Sequence, residues 1–243
     1  EALGSISELF RKSKAEHVII AGGDIVANIP LDDVLRKHRE TGVDVTMVCT
    51  KSSEGTASDT LLELSPRHEI MDIRYGDNMG GQCKHKSLGI YIMKREFLRQ
   101  LLSDCVTHNL RSFESDAMQY LFTQGKQLYG YVFSTYAARI ENIKSYFSAS
   151  MDMLDKELRD QVFVPERPIF TKIRDEAPTY YGDEAVVNDS LIADGCKIEG
   201  RVENSILFRG VTVKRGAVVK DSIIMQGSEI EEHVDLSYVV ADK

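Results

Sequence analysis

Asp24 is the residue of this chain whose neighbours best equip it for chemistry. It follows His17-Val18-Ile19-Ile20-Ala21-Gly22-Gly23, a short, branched apolar run of the kind that forms a buried strand, closed by two glycines. Open α/β sheets bind ligands beyond the carboxyl ends of their strands, where an aspartate can hold Mg²⁺ against phosphate oxygens. The same residue type after glycines also serves as a turn residue or helix cap, and the local sequence leaves both roles open. The other reactive side chains are dispersed. Cys49, Cys83, Cys105 and Cys196 have no CxxC or metal-ligand spacing, which predicts reduced thiols, and the six histidines show no pattern either.

The elements that would position Asp24 can be read along the first half. Ile6, Leu9 and Phe10 have helical spacing ahead of the strand at His17–Ala21. Pro30 to His38 suits a helix with proline in its first turn, and Gly42 precedes a second strand at Val43–Val48. Strand, helix and strand in that order make a parallel crossover unit. Further strands are expected at 61–64, 70–74, 87–93 and 128–133, and helices at 96–102, 115–124 and 143–154. Pro165, Pro168 and Pro178 then cluster with many charges, as in a linker.

The last third repeats. Asn188-Asp189-Ser190-Leu191-Ile192 returns as Glu203-Asn204-Ser205-Ile206-Leu207, as Lys220-Asp221-Ser222-Ile223-Ile224 and as Asp235-Leu236-Ser237-Tyr238-Val239. Ile192 to Ile198, Leu207 to Val213 to Val219, and Ile224 to Ile230 to Leu236 are steps of six, the period of a β-solenoid built from hexapeptides. Glycine stands three residues after the aliphatic at Gly195, Gly210, Gly216 and Gly227, where a tight corner favours a residue without Cβ. Returns of 15 to 17 residues rather than three full hexads imply shortened corners. A small antiparallel β domain with glycine turns is the alternative.

With 243 residues, 42% hydrophobic and 28% charged, the chain is long enough for two domains. No apolar run reaches membrane-span length and no signal peptide opens it, so neither a membrane nor secretion is expected and the cytoplasm is. The net charge of -8 argues against nucleic acid as a partner.

Four stretches, together with the repeat, resemble the ADP-glucose pyrophosphorylase (glucose-1-phosphate adenylyltransferase) family. His17 to Asp24 with Asp44-Val45-Thr46 resembles its strand, Gly-Asp and following strand, and Ser87-Leu88-Gly89-Ile90-Tyr91 its Ser-Met-Gly-Ile-Tyr. Ser112-Phe113 through Asp116 resembles its Asp-Phe-Gly-x-Asp. Ile143-Lys144-Ser145-Tyr146-Phe147, with Ala149 and Asp152-Met153-Leu154, resembles its Ile/Leu-x-Ser-Tyr-x-x-Ala-x-x-Asp-Leu helix. The resemblance implies an α/β fold in which a partial nucleotidyltransferase domain (Rossmann-like, GT-A-type) at 1–154 is joined by a linker at 155–182 to a left-handed parallel β-helix at 183–243. It also implies the reaction of ATP with glucose-1-phosphate to give ADP-glucose and pyrophosphate.

Residue by residue, that chemistry is thinned. The family's glycine-rich phosphate loop is absent, and a chain opening on Glu1 reads as a fragment lacking its N-terminal part. The first metal position is kept as Asp24, but Ile25, Ala27 and Pro30 replace the residues expected beyond it. The second metal carboxylate falls on Arg139, and a cation about 5 Å from Mg²⁺ is repelled by about 6 kcal/mol at an effective dielectric of about 20. The phosphate-binding lysine falls on Gly76, Ser112 takes an aspartate's place and Ala137 a tryptophan's. Ser87, Tyr91 and Phe113 remain as a candidate sugar-phosphate pocket, with Arg74 and Lys84 as partial substitutes for the lost cation.

This pattern resembles the glycogen-biosynthesis D-type subunits. It implies a regulatory or weakly catalytic subunit partnered by a catalytic adenylyltransferase subunit or by copies of itself, with sugar phosphate and nucleotide as possible ligands. Mg²⁺ is expected only if the chain is active. An active divergent nucleotidyltransferase would need another second carboxylate, such as Glu141. Arg209, Lys214, Arg215 and Lys220 are the candidate effector or partner surface, with a solvated solenoid face as the plainer reading. A hexapeptide-repeat acyltransferase would need a histidine base at a coil interface, and His233 is expected at a surface or corner instead.

Overall fold

The computed structural model describes residues 10, 12–52, 59–76, 83–171 and 174–242, so most of the expected helix around Ile6–Phe10 lies outside the described residues. By internal contacts the chain forms two units, Glu1–Ile25 with Ile29–Ala137, and Val26–Asn28 with Ala138–Lys243.

The first unit is built on a mixed six-stranded sheet. Its strands are β1 (His17–Ala21), β3 (Val45–Lys51), β4 (Thr60–Leu64), β5 (Ile70–Tyr75), β6 (His85–Lys94) and β7 (Leu128–Val132); the short β2 (Ile25–Ala27) lies outside this sheet. The path runs β5-β4-β6-β3-β7, with β1 also on β6. The expected crossover through α1 (Leu31–Thr41) exists, since β1 and β3 are both antiparallel to β6 and so share a direction. They are not neighbours, because β6 lies between them, and among the described residues of this sheet only β3 and β7 form a parallel pair.

β6 manages three partners through one irregularity. Val48 faces Ile90 while the next residue, Cys49, faces Ser87, which leaves Leu88 and Gly89 as extra residues in β6. Gly89 takes φ 65°, a left-handed conformation that glycine adopts without a Cβ penalty. On the side away from β3, Lys86 and His85 pair with β4 and Ile90 to Lys94 pair with β1, so the bulge lies where the partner changes. At one end the sheet's outer strands approach each other. Glu69, just before β5, bridges Tyr129 of β7, and Gly130 N–H donates to His68 O at 2.8 Å. An added Cβ on Gly130 would come within 2.7 Å of Leu64 Cδ2, so any larger residue there would require the Leu64 side chain to move.

Val45, Met47, Leu62, Tyr91 and Met93 from the sheet pack with Leu98 and Leu101 of α2 (Arg95–Thr107) and with Met118 and Leu121 of α3 (Met118–Thr123). On α1, buried His38 holds Nδ1 2.8 Å from Thr46 Oγ1 and meets the His17 ring edge-on at 5.4 Å. Burial first, then His17, pushes the His38 pKa down from 6.5 to about 4.

The second unit pairs β2 with β8 (Ala137–Arg139) in a two-stranded sheet. Then come α4 (Ile143–Met151), a 3₁₀ turn at Asp152–Leu154, α5 (Lys156–Val162) and the solenoid. Segment 155–182, read from its prolines as a linker, thus contains a helix. Asp155 caps it, its Oδ1 accepting from Glu157 N–H at 2.7 Å and Leu158 N–H at 3.3 Å.

The solenoid has four coils and three parallel sheets. One sheet is β10 (Val186–Asn188), β13 (Arg201–Glu203), β16 (Val218–Lys220) and β19 (Asp235–Ser237). The second is β11 (Leu191–Ile192), β14 (Ile206–Leu207), β17 (Ile223–Ile224) and β20 (Val240–Ala241). The third is β9 (Tyr180–Tyr181), β12 (Lys197–Ile198), β15 (Thr212–Val213) and β18 (Glu229–Ile230). Aliphatics stack in register inside: Val187-Val202-Val219-Leu236, Ile192-Leu207-Ile224-Ala241 and Ile198-Val213-Ile230.

In its first three copies the repeated phrase is the corner between the first two sheets; in the fourth the register falls two residues later than the phrase implies, with Ser237 paired to Lys220 and Val240 to Ile223. Asp189, Asn204, Asp221 and Tyr238 all have φ between 42° and 56° there, a conformation that Asn and Asp tolerate better than most residues. The serine after each of the first three builds a ladder. Ser190 Oγ accepts from Ser205 N–H, Ser205 Oγ from Ser222 N–H and Ser222 Oγ from Val239 N–H, at 3.0–3.1 Å. Each hydroxyl donates to the carbonyl two residues earlier, so buried Ser205 and Ser222 are satisfied in both roles.

The shortened corner has a specific place. Between β12 and β13 the chain turns through Glu199 and Gly200 alone, whereas Lys214 to Ala217 make the equivalent corner one coil later. A Cβ on Gly200 would collide with the Ala217 carbonyl oxygen and lie 2.7 Å from that of Lys214.

Two outcomes follow. Gly200→Ala is expected to cost at least about 2 kcal/mol, because backbone must move, whereas Gly23→Ala, which meets nothing within 4 Å, should stay within about 0.5 kcal/mol in denaturant unfolding. Below pH 6.5 the unfolded chain takes up a proton at His38 that the folded chain refuses until about pH 4. Stability should therefore fall as pH drops through that window, by about 2 kcal/mol from this group between about pH 7 and 5, and His38→Asn should flatten the profile.

Candidate functional site

Asp24 stands in the tight turn between β1 and β2, well ahead of α1, so it is a turn carboxylate and not a helix cap. The two glycines explain its pose. A Cβ on Gly22 would run into Asp24 Oδ1, so the carboxylate folds back over Gly22 in a pose that a larger residue there would displace.

In the second unit, Arg139 ends β8 and brings Nε to 3.8 Å from Glu141 Oε1. The position that the resemblance gives to a second metal carboxylate thus carries a guanidinium. The substitute, Glu141, already faces that cation. Among the described residues no three His, Cys, Asp or Glu side chains converge as metal ligands would.

Ser87, Tyr91 and Phe113 serve packing as well as any pocket. Ser87 and Tyr91 are buried on β6 on either side of the bulge, and Ser87 Oγ accepts from Gly89 N–H at 3.1 Å. Tyr91 and Phe113 meet edge to face with centroids 5.3 Å apart. Phe113 begins a π-helical turn, Phe113–Ala117, that continues into α3. That turn is organised by two polar side chains. Ser112 Oγ accepts from Ser115 N–H at 3.1 Å, while the Asp116 carboxylate accepts from Arg111 N–H, Ser112 N–H and Ser115 Oγ at 2.9–3.0 Å. These bonds, led by the one from the Ser112 backbone, hold the Asp116 pKa below the usual carboxylate value.

Arg74, a proposed substitute cation, is bonded through Nε to Asp72 Oδ2 at 2.8 Å, while Lys84 is exposed. Gly76, in the lysine's place, is a corner with φ 95° whose N–H donates to Asp59 O. Two clefts of the first unit, of about 380 and 320 Å³, are lined by other residues, among them Arg67, Lys126 and Tyr129 in the larger.

The four basic residues adjacent in sequence are distributed around the solenoid. Arg209 is in the corner before β15, Lys214 and Arg215 in the corner after it, and Lys220 at the end of β16. Lys214 Nζ lies 2.8 Å from both Glu229 and Glu231, which raise its pKa, and Arg215 Nε lies 3.5 Å from Glu184. His233 is a corner residue with φ 61°, and its imidazole occupies the space a Cβ on Gly216 would need one coil below.

The helix motif has two structural duties. Asn142 and Ser145 form a reciprocal capping box, and Tyr146 brings its hydroxyl to 3.9 Å from Met225 Sδ beside β17. Ile223 precedes inward-facing Ile224 yet is also fully buried, so the outer face of β17 is covered too.

The comparisons with known proteins agree with these elements. Residues 177–243 match the family described as GlmU-like, C-terminal hexapeptide. Over 209 residues the chain is 33% identical to the glycogen biosynthesis protein GlgD of Bacillus subtilis, covering 86% of this chain and 51% of that protein. Its homologues are GlgD proteins and glucose-1-phosphate adenylyltransferases. The GlgD of Geobacillus stearothermophilus is 36% identical over 210 residues, with 86% and 51% covered. The glucose-1-phosphate adenylyltransferase of the same organism is 29% identical over 205 residues, with 83% and 53% covered. The chain spans about half the length of these relatives.

Sequence reasoning passed over Asn28, which has no local signal, and treated Asp116 only as a motif position. Replacing Asp116 with Ala should cost about 1–2 kcal/mol and weaken the near-ultraviolet circular dichroism from Tyr91 packed on Phe113, since three donors lose their acceptor.

Proposed function

We propose that this chain acts in glycogen biosynthesis as a noncatalytic or weakly catalytic subunit of the glucose-1-phosphate adenylyltransferase type, working in the cytoplasm beside a catalytic partner. The observation that carries the reading is Arg139 at the end of β8, with Glu141 in its field at 3.8 Å. Transfer of a nucleotidyl group needs its metal held by paired carboxylates, and a fixed guanidinium in that place opposes a divalent cation. The higher identity to two GlgD proteins than to a glucose-1-phosphate adenylyltransferase supports the same choice. No helix among the described residues is long and apolar enough to cross a membrane.

Under this reading the residues shared with the resembled family keep the α/β unit folded, and the solenoid offers its coils for assembly with the partner. Mg²⁺ is not held at Asp24 alone. Sugar phosphate and nucleotide are then ligands of the partner's active site, whose turnover this subunit modifies through contact.

The full-length protein, including any segment preceding this sequence, decides the matter. Alone, it should convert ATP and glucose-1-phosphate at least about a hundredfold more slowly than a glucose-1-phosphate adenylyltransferase. Mixed with the catalytic subunit, it should co-elute and change that enzyme's kinetics. A comparable rate by itself, abolished by Asp24→Asn, would overturn the proposal, as would failure to bind or affect the partner.

A further inference from the structure

Residues 26–28 belong by contacts to the second unit, although the chain on either side of them belongs to the first. What holds this three-residue strap is a reciprocal clasp across 139 positions of sequence. The side-chain amide of Asn28 donates to Val162 O at 2.7 Å and to Arg167 O at 2.8 Å. In return, Arg167 Nε donates to Asn28 Oδ1 at 3.1 Å and Nη2 to Asn28 O at 3.2 Å.

The chemistry of the clasp is selective at both ends. Both amide hydrogens of Asn28 are used, one of them on a carbonyl in the last turn of α5 that has no acceptor role left inside the helix. An aspartate would present oxygens to two carbonyls. The guanidinium reaches a side-chain and a main-chain oxygen at once, which the single nitrogen of lysine cannot reproduce. Asn28 is only 9% exposed and Val162 3%, so a broken clasp would leave the Asn28 amide and the Val162 carbonyl poorly solvated, whereas Arg167 is exposed. Arg167 is itself placed by a turn in which its N–H donates to Val164 O at 3.0 Å, within the proline-flanked segment Pro165 to Pro168.

β2 begins one residue after Asp24. We propose that the Asn28–Arg167 clasp is a latch by which the solenoid-bearing unit governs the turn that carries Asp24. When the clasp is closed, β2 stays on β8 and the Asp24 turn is anchored at its trailing end. When it opens, β2 and the turn loosen together, while the sheet around β3 and β6 and the stacked coils keep their own hydrogen bonds. The proline-flanked segment ahead of the solenoid is then a control element and not a passive tether. This inference does not depend on whether Asp24 binds a metal or on the subunit reading above.

Hydrogen–deuterium exchange of the full-length protein tests it, comparing wild type with Arg167→Ala, Arg167→Lys and Asn28→Ala. In Arg167→Ala and Asn28→Ala, amides of residues 22–29 should exchange about tenfold or more faster, the scale set by losing two or more hydrogen bonds that are buried or part-buried. Arg167→Lys should fall between these and wild type. Peptides from β3, β6 and β13 to β17 should be unchanged in all three. Unchanged exchange at 22–29 in the folded variants would overturn the proposal, and so would uniform acceleration across the chain, which would make the clasp a general stability element. If Asn28→Ala fails to fold, the graded response of the two Arg167 variants decides.

Discussion

The first unit depends on the two extra residues in β6. A single strand can serve β3 along one side and both β4 and β1 along the other only if its course shifts where the second pair of partners changes over. Leu88 and Gly89 supply that shift, with Gly89 at φ 65° and Ser87 accepting from its N–H. The core side chains Tyr91 and Met93 lie just beyond, so their direction follows from the bulge. A motif that resembles part of an active site is thereby also a fold-determining device.

The solenoid rests on a different economy, that of repetition. Each coil must place an aliphatic above the one below it, and each corner must satisfy backbone groups without a neighbouring helix to help. Left-handed Asp and Asn corners and a serine ladder meet both needs, because every hydroxyl accepts from the coil above and donates within its own. The one shortened corner then fixes Gly200 sterically. Charges decorate the outside without gathering. Lys214 is held between two glutamates and shares its corner with Arg215, while Arg209 and Lys220 lie elsewhere on the circumference, since a coil distributes consecutive residues around it.

Arg139 and Asp24 place the functional question in two short strands. The carboxylate precedes β2 and the guanidinium ends β8, the two members of one small sheet. Opposite charges now attach to positions where the resemblance expects like ones. Under the proposed function this change removes the electrostatic reason for a divalent ion. The Asn142–Ser145 cap that starts α4 does not involve Arg139, whereas the Asp116 turn does use Ser112, which stands where the resemblance expects an aspartate.

The solenoid, its six-residue period and its glycine corners are legible in the sequence, because a repeat is a local pattern and each coil copies the last, whereas the last return is 17 residues by strand pairing and not the 15 of the repeated phrase. The sequence also marked most strands and helices of the first unit and the substitution at Arg139. Tertiary structure alone decided that β6 separates β1 from β3, that Ser87 and Tyr91 are buried around a bulge, and that Arg209, Lys214, Arg215 and Lys220 do not form one patch. It alone brought Asn28 to Arg167 and gave three residues of the first half to the second unit. These features are pairings between distant residues, and no window of sequence contains both partners.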